Sequence, residues 1–211
     1  MGLPAHMAVA TNRIGVFGLS VTGWIAFQQQ RLIRHRIAWA LGIACGIGAA
    51  LGTQVLLAIS ETVLRWIIAA MSVGLLLFTG FQKEVGVGAA SKSAGVRWGL
   101  GIPAAIALGA YGSVYGAGLG TFLTYLLVIL FGQTFLESAG TRKVSIGLQA
   151  LVSAGLYYRE NLIHWPAAVN LFIGMAIGSY VGAHYGTSLG NIWIRRAFLT
   201  LAALLSLKIL I

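Results

Sequence analysis

Acidic side chains are nearly missing from this sequence. Its 211 residues hold no aspartate and four glutamates (Glu61, Glu84, Glu137 and Glu160), all near the ends of apolar segments. No carboxylate pair is therefore available inside the hydrophobic stretches for acid–base chemistry. Charge of either sign is scarce, at 9% of residues, against about a quarter in soluble domains. Hydrophobic residues make up 58% and the mean hydropathy is +0.88. That leaves too little polar surface to cover a globule in water, whereas lipid lets apolar side chains face outward. A single cysteine, Cys45, excludes an intramolecular disulfide and reads as a small buried hydrophobe. His6, His35, His164 and His184 are dispersed without metal-ligand spacing. No metal site is expected, and the chain reads as a non-enzyme. Only His184 falls inside a span, where it reads as a packing residue rather than a proton carrier. The N-terminus lacks the basic start, apolar run and cleavage site of a cleavable signal.

What is present is basic charge, 14 Lys and Arg for a net +10. These residues are scattered over loops and helix ends with no run that would make a nucleic-acid stripe, so they read as determinants of topology. At about 20 apolar residues per crossing, the length supports six to eight spans. Apolar runs place helices at about 5–28, 37–58, 63–82, 137–158, 165–187 and 191–211. The stretch 98–132 differs. As one helix it would reach about 52 Å against a hydrocarbon core of about 30 Å. Gly109, Gly112, Gly116, Gly118 and Gly120 lie near its middle. It reads as a helix broken inside the membrane, tolerable only where protein or water satisfies its backbone.

The loop 28–36 carries Arg31, Arg34 and Arg36 and is placed in the cytoplasm. Alternating crossings then put Glu61 outside and the loop 83–97 inside. With 98–132 counted as one net crossing, Arg159 returns to the cytoplasm. Arg13, Arg65, Arg142, Lys143, Arg195 and Arg196 are exceptions near the outer ends of spans.

Sliding the chain by 130 residues aligns its ends: Thr11 meets Thr141, Arg13 meets Lys143, Leu32-Ile33 meets Leu162-Ile163, and Gly48 and Gly52 meet Gly178 and Gly182. This predicts a bundle of two related halves, 1–82 and 98–211, joined by the cytoplasmic loop 83–97 in one transmembrane domain. Even numbers of crossings per half predict parallel four-helix repeats, and the first half reads as lacking its first helix. About seven spans are expected.

The sharpest constellation is Tyr115-Gly116-Ala117-Gly118-Leu119-Gly120, followed by Thr141-Arg142-Lys143. Glycines let backbone N–H groups approach an anion, and half-helix ends aim partial positive charge at it. The competing reading is close helix packing with snorkelling cations. A nucleotide-binding reading of the glycines fails, because no strand precedes them and no acidic residue follows at the required distance. Gly116, Gly118, Gly120, Thr141, Arg142 and Lys143 are the candidate substrate-binding residues, with Thr11, Asn12 and Arg13 as the equivalent set. Thr141, Ser145, Gln149 and Ser153 recur every fourth residue as a polar stripe, either a pathway wall or interhelical glue. Gly174, Gly178, Gly182 and Gly186 form a packing ladder, echoed by Ala44, Gly48 and Gly52.

Taken together, the glycine-rich 116–132 stretch, the Ser138-Ala139-Gly140-Thr141 helix start and the Asn161-Leu162-Ile163-His164-Trp165 loop resemble the TauE/SafE family of sulfite and organosulfonate exporters. Gly2-Leu3-Pro4 through Thr11-Asn12 is similar to the first-half version. The resemblance covers nearly the whole chain and implies eight spans in two halves, no cofactor and a small anionic substrate. The expected setting is multi-pass in a bacterial inner membrane, with a homo-oligomer or a partner helix replacing the missing first span. Electrogenic efflux would need no coupled ion, since each exiting negative charge gains about 2.3 kcal/mol per 100 mV. The alternative is a non-transporting scaffold or a subunit of a larger membrane complex.

Overall fold

The computed structural model describes residues 3–81 and 94–185, which contain helices and no strand. Seven helices follow in order: α1 (Ala5–Gln29), α2 (His35–Ala58), α3 (Glu61–Phe81), α4 (Ala94–Val114), α5 (Leu119–Phe131), α6 (Phe135–Arg159) and α7 (Trp165–Tyr185). Five of the apolar runs coincide with α1, α2, α3, α6 and α7. The run at 191–211 and most of the loop 83–97 lie outside the described residues. The stretch 98–132 is broken as expected, between α4 and α5.

By length and apolarity alone, α2 and α7 qualify as membrane spans, and the pair α5 and α6, bent by 118°, qualifies as a third. Helices α1 and α6 do not qualify on their own, for a physical reason. These two form the centre of the bundle and bury Thr11, Arg13, Ser20, Ser138, Thr141, Ser145, Gln149 and Ser153. A helix shielded from lipid by its neighbours can carry a polar stripe. In contrast, α2 presents Trp39, Ile43, Ile47, Leu51 and Val55 outward, and α7 presents Val169, Ile173, Ile177, Val181 and Tyr185. Each set repeats every fourth residue and makes one apolar helix face.

The direction of packing departs from the sequence reading. Phe27 lies against Gly140, Gly23 against Lys143, and Ser20 against Gly147. Advancing along α1 therefore means retreating along α6, and the two helices are antiparallel. The parallel arrangement expected for these two helices is corrected. Its cause lies in 98–132, which does not make one net crossing. Gly112 faces Leu119, Gly101 faces Phe131, and Trp98 meets Phe131 edge-on at 5.1 Å. Helix α5 thus turns back along α4 as a hairpin. The expectation for Arg159 changes with it: Arg159 ends α6 at the opposite end of the bundle from Arg31, Arg34 and Arg36. Arg142 and Lys143 begin α6 at the Arg34 end.

Positions 130 apart share local geometry. Arg31 and Asn161 are the non-glycine residues with positive φ among the described residues, at 56° and 54°. Leu32 N–H donates to Phe27 O at 3.2 Å, and Leu162 N–H donates to Tyr157 O at 3.1 Å. Across the bundle, Arg34 N–H donates to Thr141 Oγ1 at 3.3 Å, and His164 N–H donates to Thr11 Oγ1 at 3.0 Å. The contact of Gly18 with Phe172 is matched by that of Gly42 with Leu148.

The hairpin is locked on α2. A Cβ on Gly48 would collide with the backbone of α4 at Ile106, one on Gly52 with Ala110, and one on Gly109 with the α2 backbone at Cys45. Backbone meets backbone there, as small residues allow in lipid. Around this contact Leu41, Cys45, Ala105, Leu119, Leu123 and Leu127 form a closed apolar core.

Candidate functional site

The break between α4 and α5 spans four residues, Tyr115 to Gly118. Gly116 and Gly118 take φ of +79° and +76°, a left-handed conformation that costs other residues about 1–2 kcal/mol. Two tyrosines brace it. The Tyr111 hydroxyl donates to Ala117 O at 2.5 Å, and the Tyr115 hydroxyl meets Ser72 Oγ of α3 at 2.6 Å. No side chain caps the start of α5; Leu119 N–H donates back to Gly116 O at 3.2 Å, and the remainder of the first turn adjoins the break, where a helix terminus favours negative charge.

Two arginines converge on this backbone from the central helices. Arg13 of α1 is 1% exposed, and its Nη2 donates to Tyr115 O at 3.4 Å. Its guanidinium lies against Gly116, where an added Cβ would stand 2.7 Å from Nη1. Arg13 Nε has no partner within the described protein. Arg142 of α6 reaches the next turn: its Nη1 donates to Gly120 O and to Thr124 Oγ1, the latter at 2.7 Å. No carboxylate among the described residues neutralises either. Glu61 is engaged by Ala5, His6 and Arg65, Glu137 pairs with Arg34 at 3.1 Å, and Glu160 is exposed at the end of α6. A buried guanidinium without a counter-charge is costly unless an anion or hydrogen bonds compensate it.

Of the residues singled out from the sequence, the structure brings together Gly116, Gly118, Gly120, Arg13 and Arg142. It does not bring the others there. Thr11 and Thr141 are fully buried, and their hydroxyls accept the His164 and Arg34 amides at opposite ends of the bundle. Asn12 is half-buried and lies about 100° round α1 from Arg13. Lys143 points away from the break, toward Ser179 of α7 at 3.2 Å. Ser145, Gln149 and Ser153 are fully buried, and the two serines tie α6 to α2: Ser145 donates to Ala38 O at 3.4 Å, and Ser153 accepts from Thr53 at 3.3 Å. Gln149 reaches furthest toward the hairpin, its amide carbon 3.3 Å from where a Gly112 Cβ would lie, with Oε1 unpartnered. Tyr111, Ser72 and Thr124 are site residues that the sequence reading passed over. The spacing of Tyr111 four residues before Tyr115 was the available signal.

The sequence matches the family described as "Sulfite exporter TauE/SafE" over residues 1–209. It is 23% identical over 207 residues to a probable membrane transporter protein of Haemophilus influenzae, covering 98% of this chain and 81% of that protein. It is likewise 23% identical over 214 residues to the probable membrane transporter protein YdhB of Bacillus subtilis, covering 99% and 86%. The probable membrane transporter protein ORF9 of Sinorhizobium sp. is 22% identical over 212 residues, covering 99% and 80%. No solved structure matches the chain. With its outward apolar faces and buried polar centre, this is an integral membrane protein, and the chain belongs to the sulfite exporter TauE/SafE family.

Proposed function

We propose that this membrane transporter exports a small oxyanion, sulfite or an organosulfonate, across a bacterial inner membrane, and that the anion binds at the α4–α5 break. The observation that carries the reading is Arg13. It is a buried cation with an unpartnered nitrogen, pressed against a glycine turn and left without a carboxylate among the described residues. Intramembrane charges that face protein mark ion pathways, and a planar guanidinium suits a sulfonate or sulfite oxygen pair. Arg142 holds the start of α5 in place, and the open N-terminus of α5 adds N–H donors. The two halves are read as inverted repeats, since the equivalent helices α1 and α6 are antiparallel, and transporters of that build bind substrate where the repeats meet. The Arg31–Arg36 end is the cytoplasmic one. An inside-negative potential then drives efflux of a divalent anion by about 4.6 kcal/mol per 100 mV.

The test is sulfite efflux from proteoliposomes under a set potential, comparing the wild-type chain with Arg13→Gln and Arg13→Lys. Efflux that vanishes in Arg13→Gln, with folding intact by circular dichroism, supports the site. Unchanged efflux overturns it. A second reading, a scaffold that holds a partner helix, is favoured by one observation. Gly174, Gly178 and Gly182 on α7 face open space among the described residues, whereas their counterparts on α2 seat α4. It predicts a stable complex and no efflux from the purified chain.

A further inference from the structure

The cation that the break leaves unused belongs to a different place in the bundle. Lys143 leaves α6 toward α1 and α7, into a cleft of about 350 Å³ lined by Leu19, Phe27, Arg142, Lys143 and Ser179 among others. Gly23 of α1 forms one wall: an added Cβ there would stand 2.7 Å from both Lys143 Cε and Ser179 Oγ. The Ser179 hydroxyl donates to Leu19 O at 2.6 Å, so its lone pairs are left to the Lys143 ammonium at 3.2 Å. That hydroxyl holds the ammonium without neutralising it. No carboxylate of Glu61, Glu137 or Glu160 reaches the cleft, since each is placed elsewhere.

Arg13 and Lys143 occupy equivalent positions, 130 residues apart, on antiparallel helices. Arg13 consequently lies toward the Glu61 end and Lys143 toward the Arg34 end. Helix α1 touches both places, Arg13 at the break and Gly23 at the cleft, ten residues or about 15 Å apart along its axis. Arg142 stands between them, its guanidinium on the first turns of α5 and its side chain in the cleft wall. We propose that the α1–α6–α7 cleft is a second oxyanion station, separate from the break, with Lys143 as its charge and Ser179 as its positioning hydroxyl. The inference rests on the anion-transport reading for the order of the two stations, the cleft lying nearer the cytoplasmic end. The ligand chemistry is a singly or doubly charged oxyanion. A free anion and the phosphate of an anionic lipid headgroup both meet that description.

The test uses the full chain in neutral detergent, with sulfate as the soluble probe and an amine-acylating reagent. Acylation of Lys143 is read by mass spectrometry and normalised to the other lysines. Millimolar sulfate is expected to reduce Lys143 acylation at least fivefold, equally in wild type and in Arg13→Gln, and less in Ser179→Ala. The lipid arm compares reconstitution in phosphatidylcholine with and without phosphatidylglycerol. Protection by phosphatidylglycerol alone assigns the station to a headgroup. Protection lost in Arg13→Gln would reduce the two stations to one, and no protection in any arm overturns the proposal. If Lys143 resists the reagent, labelled-sulfate stoichiometry decides: two sites falling to one in either Arg13→Gln or Lys143→Gln supports it, and one site in wild type overturns it. Efflux is measured in parallel. Absent efflux with Lys143 protected would remove the transport reading and leave the station standing.

Discussion

Thr11 fixes the start of a helix across the bundle: its Oγ1 accepts the His164 N–H at 3.0 Å, immediately before α7. Thr141 does the same for Arg34, immediately before α2, at 3.3 Å. Both threonines are fully buried, so losing the acceptor leaves a shielded N–H unpaired. Thr11→Val and Thr141→Val, near-isosteric changes, are each expected to cost about 1–3 kcal/mol. Thermal unfolding in detergent checks this. Efflux per folded molecule should keep its half-saturating sulfite concentration. A tenfold rise in that concentration would return these hydroxyls to the substrate.

Gly116 joins a left-handed backbone to a guanidinium. Its φ is +79°, and a methyl group would meet Arg13 Nη1 at 2.7 Å. Gly116→Ala should lower stability by about 1–2 kcal/mol from the backbone alone. It should also displace Arg13, so that efflux falls more than tenfold at temperatures where the protein stays folded. Efflux that tracks only the folded fraction would show the turn to be structural.

The α2–α4 contact makes a sharper claim about packing. Gly109 lies on the α2 backbone, while a Cβ on nearby Gly46 would sit 3.5 Å from a Val152 methyl, an ordinary contact. Gly109→Ala is expected to abolish a monodisperse folded species in size-exclusion chromatography. Gly46→Ala should be neutral, or slightly stabilising because alanine is the better helix former. Equal behaviour of the two would contradict the backbone-to-backbone contact.

Glu61, before the apolar part of α3, is tied to the start of α1 by the Ala5 N–H and by His6 Nδ1 at 2.7 Å. These bonds, the Ala5 amide first and His6 second, hold its carboxyl down from 4.5 to about 2. A lowered carboxyl stabilises the fold above its unfolded value and loses that effect as pH falls through the folded one. Glu61→Gln should therefore unfold at a lower temperature than wild type at pH 6. The gap should stay constant down to about pH 4.5 and narrow between there and pH 2. Melting curves of both proteins from pH 3 to 7 check the sign, and a gap that widens with acid would refute it.

The helices and the break were legible in the sequence because they depend on local quantities, the length of an apolar run and a cluster of glycines. The angle at the break was not, since nothing in Tyr115–Gly120 says whether the chain continues or returns. That one turn reverses α6 relative to α1 and moves Arg159 to the other end. The site was legible in part for a similar reason. Arg142 and Lys143 are neighbours in sequence, yet about 100° apart round α6, which sends one to the start of α5 and the other to α7. Arg13 reaches Tyr115 across 102 residues, a contact no local pattern announces. Thr11 and Thr141 stood out as polar residues in apolar helices, but only the fold shows that their hydroxyls are already taken.

The turns at Arg31 and Asn161 share one backbone shape and lie at opposite ends of the bundle. Shape alone therefore cannot tell the insertion machinery which turn to leave behind. The difference is in charge: Arg31, Arg34 and Arg36 crowd one turn, while at the other Arg159 is followed at once by Glu160. In the proposed orientation a handful of side chains decides which way the chain inserts, and those three arginines act as its address label.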